Sequence, residues 1–391
     1  MSAETGPGKG DRGLAVGMFT DSYRPRLSGV VHSVAAVTRA LREQGHRVVV
    51  FAPRHPGYRD DEPDVVRLPS VVTSRYPDFP LLVPLLGDLD RRVRDLGLQV
   101  VHAHSPFTAG RLAAASRGRC PLVFTHHTLY EHYVHYAPLV PGFLARRWVR
   151  WHVVRFCNRC DLVVAPTRAV GEFLRARGVR SRLEVVETAA LDLEALRRVP
   201  AADPTVCAIP PDAPLVVSAG RMAPEKSMDV VLEAFARTRG LQDAYLVLVG
   251  GGPSLEALRQ LAGRLGVEAR VRFLGPLPWE GVVAWMKAAW VFAFASRTET
   301  QGLVAAEALA CGTPVVAVRA GGVAEVVDHG RTGLLVEPSP DLLGQAMARL
   351  VGDEGLRRWM AGQARQESER FSARRVAGRL VELYRSLLDA A

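Results

Sequence analysis

The feature that most limits what this chain can fold into is one alternation, run twice. Short apolar runs rich in Val, at 14–20, 47–52, 99–103, 121–125, 161–165 and 183–186, are separated by longer amphipathic stretches such as 30–43, 107–116 and 142–158. The alternation stops across 187–214, where Pro200, Pro204, Pro210, Pro211 and Pro214 break any periodic element, and restarts with runs at 215–219, 245–249, 271–274, 291–295, 314–318 and 333–336. Apolar runs without period two are strands buried on both faces, and helical crossovers between them make the sheets parallel. The chain therefore reads as α/β: two doubly wound, Rossmann-like domains. At 391 residues it suits two cores of roughly 150–200 residues each. The expected organisation is a tail over 1–12, a first domain over 13–190, a linker over 191–213 and a second domain over 214–370. A C-terminal helix over 371–391 follows, with Trp359, Phe371, Leu380, Leu383, Tyr384 and Leu387 giving the tail apolar faces and the last helix returning to the first domain. A ligand is expected in an inter-domain cleft, at the carboxyl ends of both sets of strands.

Composition removes several function classes. The first dozen residues are polar and rich in Gly, unlike a secretory leader, and no apolar run approaches the ~20 residues that span a bilayer. Cytoplasmic residence is the resulting expectation. Five scattered cysteines exclude a disulfide framework, and Cys157 and Cys160, although spaced CxxC, read as reduced thiols. The net charge of +10 lies entirely in residues 1–200, which hold 29 Lys plus Arg against 19 Asp plus Glu, whereas residues 201–391 hold 21 of each. Such asymmetry points one domain at something anionic, such as a membrane surface. No nucleic-acid recognition motif accompanies it.

The chemistry gathers after strand-like runs. Residues 295–307 read ASRTETQGLVAAE, with Glu299 and Glu307 eight apart and a helix opening near Gly302. Unpaired N–H groups at a helix start suit a diphosphate or a sugar, so Thr300, Gln301, Gly302 and Leu303 are candidate donor contacts. Read as continuous helix, that spacing rises about 12 Å and returns to within about 80° of the same face, so the two carboxylates could grip both ends of one extended ligand. Residues 220–226 read GRMAPEK. Arg221 and Lys226 there can meet a phosphate and stabilise a leaving diphosphate. Gly250 and Gly251 fill another strand-to-helix turn.

In the first domain Asp21 to Gly29 joins the first strand to the first helix without a GxGxxG fingerprint. The run 125–136, THHTLYEHYVHY, offers His126, His127, His132 and His135, but has no HExxH spacing, and one of these histidines is better read as bonding a sugar. Asp88 and Asp90 form a DxD inside a helical pattern and read as a solvated face.

Together these residues resemble the retaining glycosyltransferases of family 4, with the GT-B fold. The resemblance covers nearly the whole chain and rests on Glu299 and Glu307 followed by ALACGTP at 308–314, together with GRMAPEK. It implies that Arg221 and Lys226 bind the donor diphosphate, Glu299 the transferred sugar and Glu307 the ribose. It also implies that His127 touches the sugar and that Gly29 lies beside the diphosphate. Asp21, Tyr130 and His132 fall on the acceptor side. No metal or other cofactor is implied, since the nucleotide sugar is a substrate.

The pieces FTDSY at 19–23, SGV at 28–30, HTLYEHYVHY at 127–136 and TETQG at 298–302 are similar to those of bacterial diacylglycerol glucosyltransferases, which implies UDP-glucose and membrane association. One departure is the turn ETAALD at 187–192, which lacks the family's Pro and Gly.

Retention with no evident carboxylate nucleophile favours same-face attack, the departing phosphate taking the acceptor proton. For membrane docking, residues 132–160 contain no acid and carry Arg146, Arg147, Arg150, Arg155 and Arg159 with Trp148 and Trp151. Plotted at 100° per residue the arginines scatter, so no clean interfacial helix is expected. A soluble acceptor with a UDP or GDP sugar, a nucleotide-sugar epimerase and a sugar-nucleotide sensor remain open. So does the oligomeric state.

Overall fold

The computed structural model describes residues 13–26, 28–73, 76–83, 89–115, 119–131 and 141–390. Contacts divide the chain into two compact units. One takes the chain up to Pro166, Gly171–Val186 and the residues from Ala373 onward; the other takes Thr167–Val170 and Glu187–Ser372.

The first unit contains β1 (Ala15–Phe19), β2 (Arg47–Pro53), β3 (Val65–Leu68), the antiparallel pair β4 (Ser70–Thr73) and β5 (Tyr76–Leu82), β6 (Val100–Ala103), β7 (Leu122–Thr125), β8 (Leu162–Ala165) and β9 (Leu183–Val185). Seven of these form one sheet in the order β3-β2-β1-β6-β7-β8-β9, every neighbour parallel. Its central strands are buried end to end, as mostly apolar runs require, with His102 and Thr125 as the buried polar exceptions.

The second unit contains β10 (Leu215–Ala219), β11 (Tyr245–Val249), β12 (Val271–Gly275), β13 (Val291–Phe294), β14 (Val315–Val318) and β15 (Gly333–Val336). They form a parallel sheet ordered β12-β11-β10-β13-β14-β15. In each sheet the order reverses beside the first strand, so the loops after β1 and β6, and after β10 and β13, sit at switch points where α/β sheets bind ligands.

Three expectations need correction. The stretch 191–213 is no bare linker. Asp192 caps a short helix, Leu193–Arg198, and Leu191, Leu193, Leu196 and Ile209 are buried in the core of the second unit. Proline forbids a long helix but not a short apolar clip. The turn 187–192, without its Pro and Gly, is pinned instead by Leu191, whose N–H donates to Phe371 O at 2.8 Å and which bridges Ser372. Trp359, counted on the apolar faces of the tail helices, is half exposed. The final helix, Ala373–Leu388, packs in the first unit against helix Gly29–Glu43 and buries Tyr384 completely. β3 was not foreseen, because VVRL at 65–68 carries an Arg amid a charged stretch.

Candidate active site

In the second unit the loops after β10 and β11 are laced together. Gly220 N–H donates to Val249 O at 2.9 Å, Met222 N–H to Gly251 O at 2.8 Å and Ser254 N–H to Met222 O at 2.9 Å. Gly250 has φ +136°, and a Cβ there would lie 1.9 Å from Gly220 O, so this glycine is required by the neighbouring loop. Gly251 sits beside Pro276. The lacing positions Arg221, which pairs with Glu225, and leads into the turn Pro224–Lys226 before helix Met228–Arg237.

Lys226 Nζ contacts Glu299 Oε1, which also accepts the Ser296 hydroxyl at 3.1 Å; the same hydroxyl lies 3.1 Å from Glu225 O. Arg221, Glu225, Lys226, Ser296 and Glu299 thus form one polar cluster after β10 and β13. The sequence pairs Lys226 with phosphate, but nothing in it shows that Ser296 and Glu225 complete the cluster.

Glu299 does not lie on a helix, so the helical spacing argument for the two glutamates fails. The helix is Leu303–Ala310, and Gly302 in the left-handed region (φ 78°) precedes it. Residues 299–301 instead rest on the turn at 321–322. Gly322 N–H donates to Glu299 O at 2.8 Å, and a Cβ on Gly322 would lie 2.1 Å from Thr300 O. Thr167 donates its hydroxyl to the same Thr300 O at 3.1 Å. Gln301 is buried. Its Oε1 accepts the Thr188 hydroxyl at 2.9 Å, while its Nε2 has no partner among the described residues.

One turn into the helix, Glu307 is 8% exposed and accepts the Trp279 indole N–H at 3.0 Å. Burial pushes its carboxyl up to about 7, the Trp279 bond holding it partly back. Trp279 lies 28 residues earlier and gave no sequence signal.

In the first unit Gly29 opens helix Gly29–Glu43, where the Ser28 hydroxyl caps Val31 N–H at 3.3 Å. Asp21 accepts the Ser105 hydroxyl and, at 2.9 Å, the N–H of Ala109 in the first turn of helix Thr108–Ala115. Burial raises its carboxyl and these bonds oppose the rise. Both oxygens brace the loop after β6, a poor state for a nucleophile. Tyr130 packs edge-on against Phe107 and His126. His127 Nε2 lies 2.9 Å from His104 Nδ1, a partner that sequence reading missed. His132, His135 and Asp88 lie outside the described residues; Asp90 falls in helix Leu89–Asp95.

In helix Gly142–Cys157 the four arginines do spread over about half of the circumference, yet the helix presents one outward aromatic face. Ala145, Val153, Phe156 and Cys157 face inward. Phe143, Leu144, Arg147, Trp148, Trp151 and Arg155 fall outward within an arc of about 140°. Phe143 is 69% exposed, Trp148 54% and Trp151 55%, with Arg155 over the Trp151 ring. Among the described residues no helix is long and apolar enough to cross a membrane.

The family description Glycosyltransferase Family 4 matches residues 27–190, and Glycosyl transferases group 1 matches residues 202–367. The D-inositol 3-phosphate glycosyltransferase of Saccharomonospora viridis is 36% identical over 310 residues, 74% of this chain and 70% of its own. The chain is a family 4 glycosyltransferase. Members of this family are retaining hexosyltransferases, and the sugar comes from a nucleotide-activated donor. The alpha-monoglucosyldiacylglycerol synthase of Streptococcus pneumoniae is 29% identical over 349 residues, 86% of this chain and 78% of its own. The fold is GT-B. A crystal structure of Anabaena HepE in complex with UDP and glucose superposes with a TM-score of 0.76 at 21% identity, covering 95% of this chain and 100% of that one. Sucrose-phosphate synthase of Thermosynechococcus elongatus gives 0.77 at 22%, covering 97% and 100%.

Proposed function

We propose that this glycosyltransferase moves glucose from UDP-glucose to the hydroxyl of diacylglycerol at an anionic membrane surface. The observation that carries the lipid acceptor is the outward face of helix Gly142–Cys157. Three exposed aromatic rings and a Leu share one arc with two arginines, Arg150 lies beside it and pairs with Glu131, and no acid lies on the helix. Aromatic rings favour the bilayer interface, and each basic residue near an anionic surface adds about 1 kcal/mol.

For the donor, the cluster around Lys226 and Glu299 supports a diphosphate with its adjoining sugar, and the buried Glu307 supports a ribose diol. Arg221 and Lys226 would neutralise the leaving diphosphate. Thr300, Gln301, Gly302 and Leu303 would line the sugar side, with Gly250 and Gly251 close by. In the first unit Gly29 is assigned to the diphosphate, His127 to the sugar and Asp21, Tyr130 and His132 to the acceptor. A second reading, a soluble polyol phosphate acceptor, is favoured by the 36% identity to the inositol 3-phosphate enzyme.

A nucleotide-release screen decides between them. UDP-glucose, UDP-galactose and GDP-mannose are supplied with anionic vesicles containing diacylglycerol or with inositol 3-phosphate. Release of UDP from UDP-glucose with the vesicles alone is expected. Release driven only by the soluble acceptor would overturn the lipid reading, and acceptor-independent release would indicate an epimerase or hydrolase.

A further inference from the structure

Glu307 is the one ionisable side chain on helix Leu303–Ala310, and the neighbours on either side of it, Ala305, Ala306, Ala308 and Leu309, are fully buried. A carboxylate in such a place is costly unless something bonds to it. Its donor among the described residues is the Trp279 indole N–H, 3.0 Å from Oε1; Oε2 accepts no bond from them and keeps some contact with solvent. Trp279 is held for this contact. It opens helix Trp279–Ala288 after the turn that follows β12, with Pro278 (φ −58°) fixing the entry and Leu277 packed on Gly281, where a Cβ would lie 3.2 Å from Leu277 Cβ. The charged groups on the elements packed around Glu307 are engaged elsewhere. Lys287 bonds the carbonyls of Arg197 and Val199, Arg365 lies against Gly312, Glu325 caps the N–H groups of Arg168 and Ala169, and Glu369 and Arg370 bond other partners. Burial keeps Cys311, one turn further along, a neutral thiol pushed up to about 12.

We propose that Trp279 is the positioning residue at the nucleoside end of the donor site: its N–H holds ionised Glu307 through Oε1 and leaves Oε2 to accept the ribose hydroxyls. This rests on the reading that places the ribose at Glu307. An ionised carboxylate offers about four lone pairs, of which the indole takes one, so enough remain for a vicinal diol. An indole N–H can only donate, so the indole and the diol both favour the charged form of the carboxyl. Burial opposes that form and raises the carboxyl to about 7, and without the indole N–H it would climb further. Trp279 thereby sets the pH at which the donor site becomes competent, acting through Glu307.

The test is calorimetric titration of the full chain with UDP-glucose in steps from pH 6 to pH 8.5. Wild type and Glu307→Gln are compared with a chain in which Trp279 is replaced by β-(3-benzothienyl)alanine, which keeps the ring's shape and has sulfur in place of the N–H. Wild-type affinity is expected to rise with a midpoint near pH 7, and Glu307→Gln to lack that rise. Losing one hydrogen bond to a charged group should move the midpoint up by about one pH unit in the benzothienyl chain. Its affinity should then be about fivefold weaker at pH 7 and within twofold of wild type at pH 8.5. A purely structural role would weaken binding by the same factor at every pH. That result, or an unchanged midpoint, overturns the proposal while the ribose reading stands. A flat wild-type profile, or Glu307→Gln with the wild-type slope, overturns the ribose reading and the proposal with it.

Discussion

Glu307 allows a prediction whose size follows from its surroundings. Its carboxyl is buried on a helix of otherwise apolar residues and sits near 7 instead of 4.5 because burial penalises the charged form. A displacement of that size corresponds to roughly 3 kcal/mol at about 1.4 kcal/mol per pH unit. The folded value lies above the unfolded one, so the stabilisation from protonated Glu307 is complete below pH 4.5. It fades as pH rises between 4.5 and 7 and is gone above 7. Glu307→Gln should therefore be more stable than wild type at pH 8, by up to about 3 kcal/mol, and no more stable at pH 4.

On the proposed assignment of Glu307 to the ribose, donor binding has the opposite preference. A ribose diol donates two hydrogen bonds, which a carboxylate accepts and a carboxyl or an amide accepts less well. With a value near 7, about a tenth of Glu307 is ionised at pH 6 and about nine-tenths at pH 8, so affinity for UDP-glucose should rise roughly tenfold across that interval. Calorimetric titration in buffers of different ionisation enthalpy should also register proton release near pH 7. UDP-glucose suits the assay because its diphosphate does not titrate in this range. Equal affinity at pH 6 and pH 8 without proton release, or the same slope in Glu307→Gln, would refute the reasoning.

Three further outcomes are expected. Lys226→Ala should lower turnover by roughly 100- to 1,000-fold at saturating donor, as loss of one charge contact to a leaving group does; near-normal turnover would remove Lys226 from the leaving-group role. Gly322→Ala places a methyl 2.1 Å from Thr300 O and 2.5 Å from Gln301 Cα. It should cost about 1–3 kcal/mol in thermal unfolding and weaken UDP-glucose binding. Replacing Trp148 and Trp151 together by Ala should reduce sedimentation with anionic vesicles while leaving the melting temperature nearly unchanged, since both side chains are exposed.

Much of the fold was legible because the central strands are short, mostly apolar runs without period-two alternation, and helical stretches separate them, the pattern of covered parallel strands. The segment 191–213 misled because proline content speaks to periodicity and not to burial. Leu193, Leu196 and Ile209 show no pattern along the chain, yet meet in one core. At the site, GRMAPEK and the two glutamates were visible as residue types placed after strands. Their neighbours were not. Trp279, at the start of helix Trp279–Ala288, reaches Glu307 on helix Leu303–Ala310, and His104, after β6, reaches His127, after β7, only because the fold brings separate elements together, across 28 and 23 residues. The outer face of helix Gly142–Cys157 was hidden for a different reason. A helical wheel shows where arginines point, but only burial shows which arc is solvent.

The most direct test of the account is the product itself. Labelled UDP-glucose is incubated with the protein and anionic vesicles containing diacylglycerol, the lipids are extracted, and the anomeric configuration of any glucolipid is read by proton NMR. The account predicts an α-linked glucosyl diacylglycerol whose yield falls as the vesicles lose their anionic lipid. A β-linked product, or label recovered only in a water-soluble product when inositol 3-phosphate is also present, would contradict it.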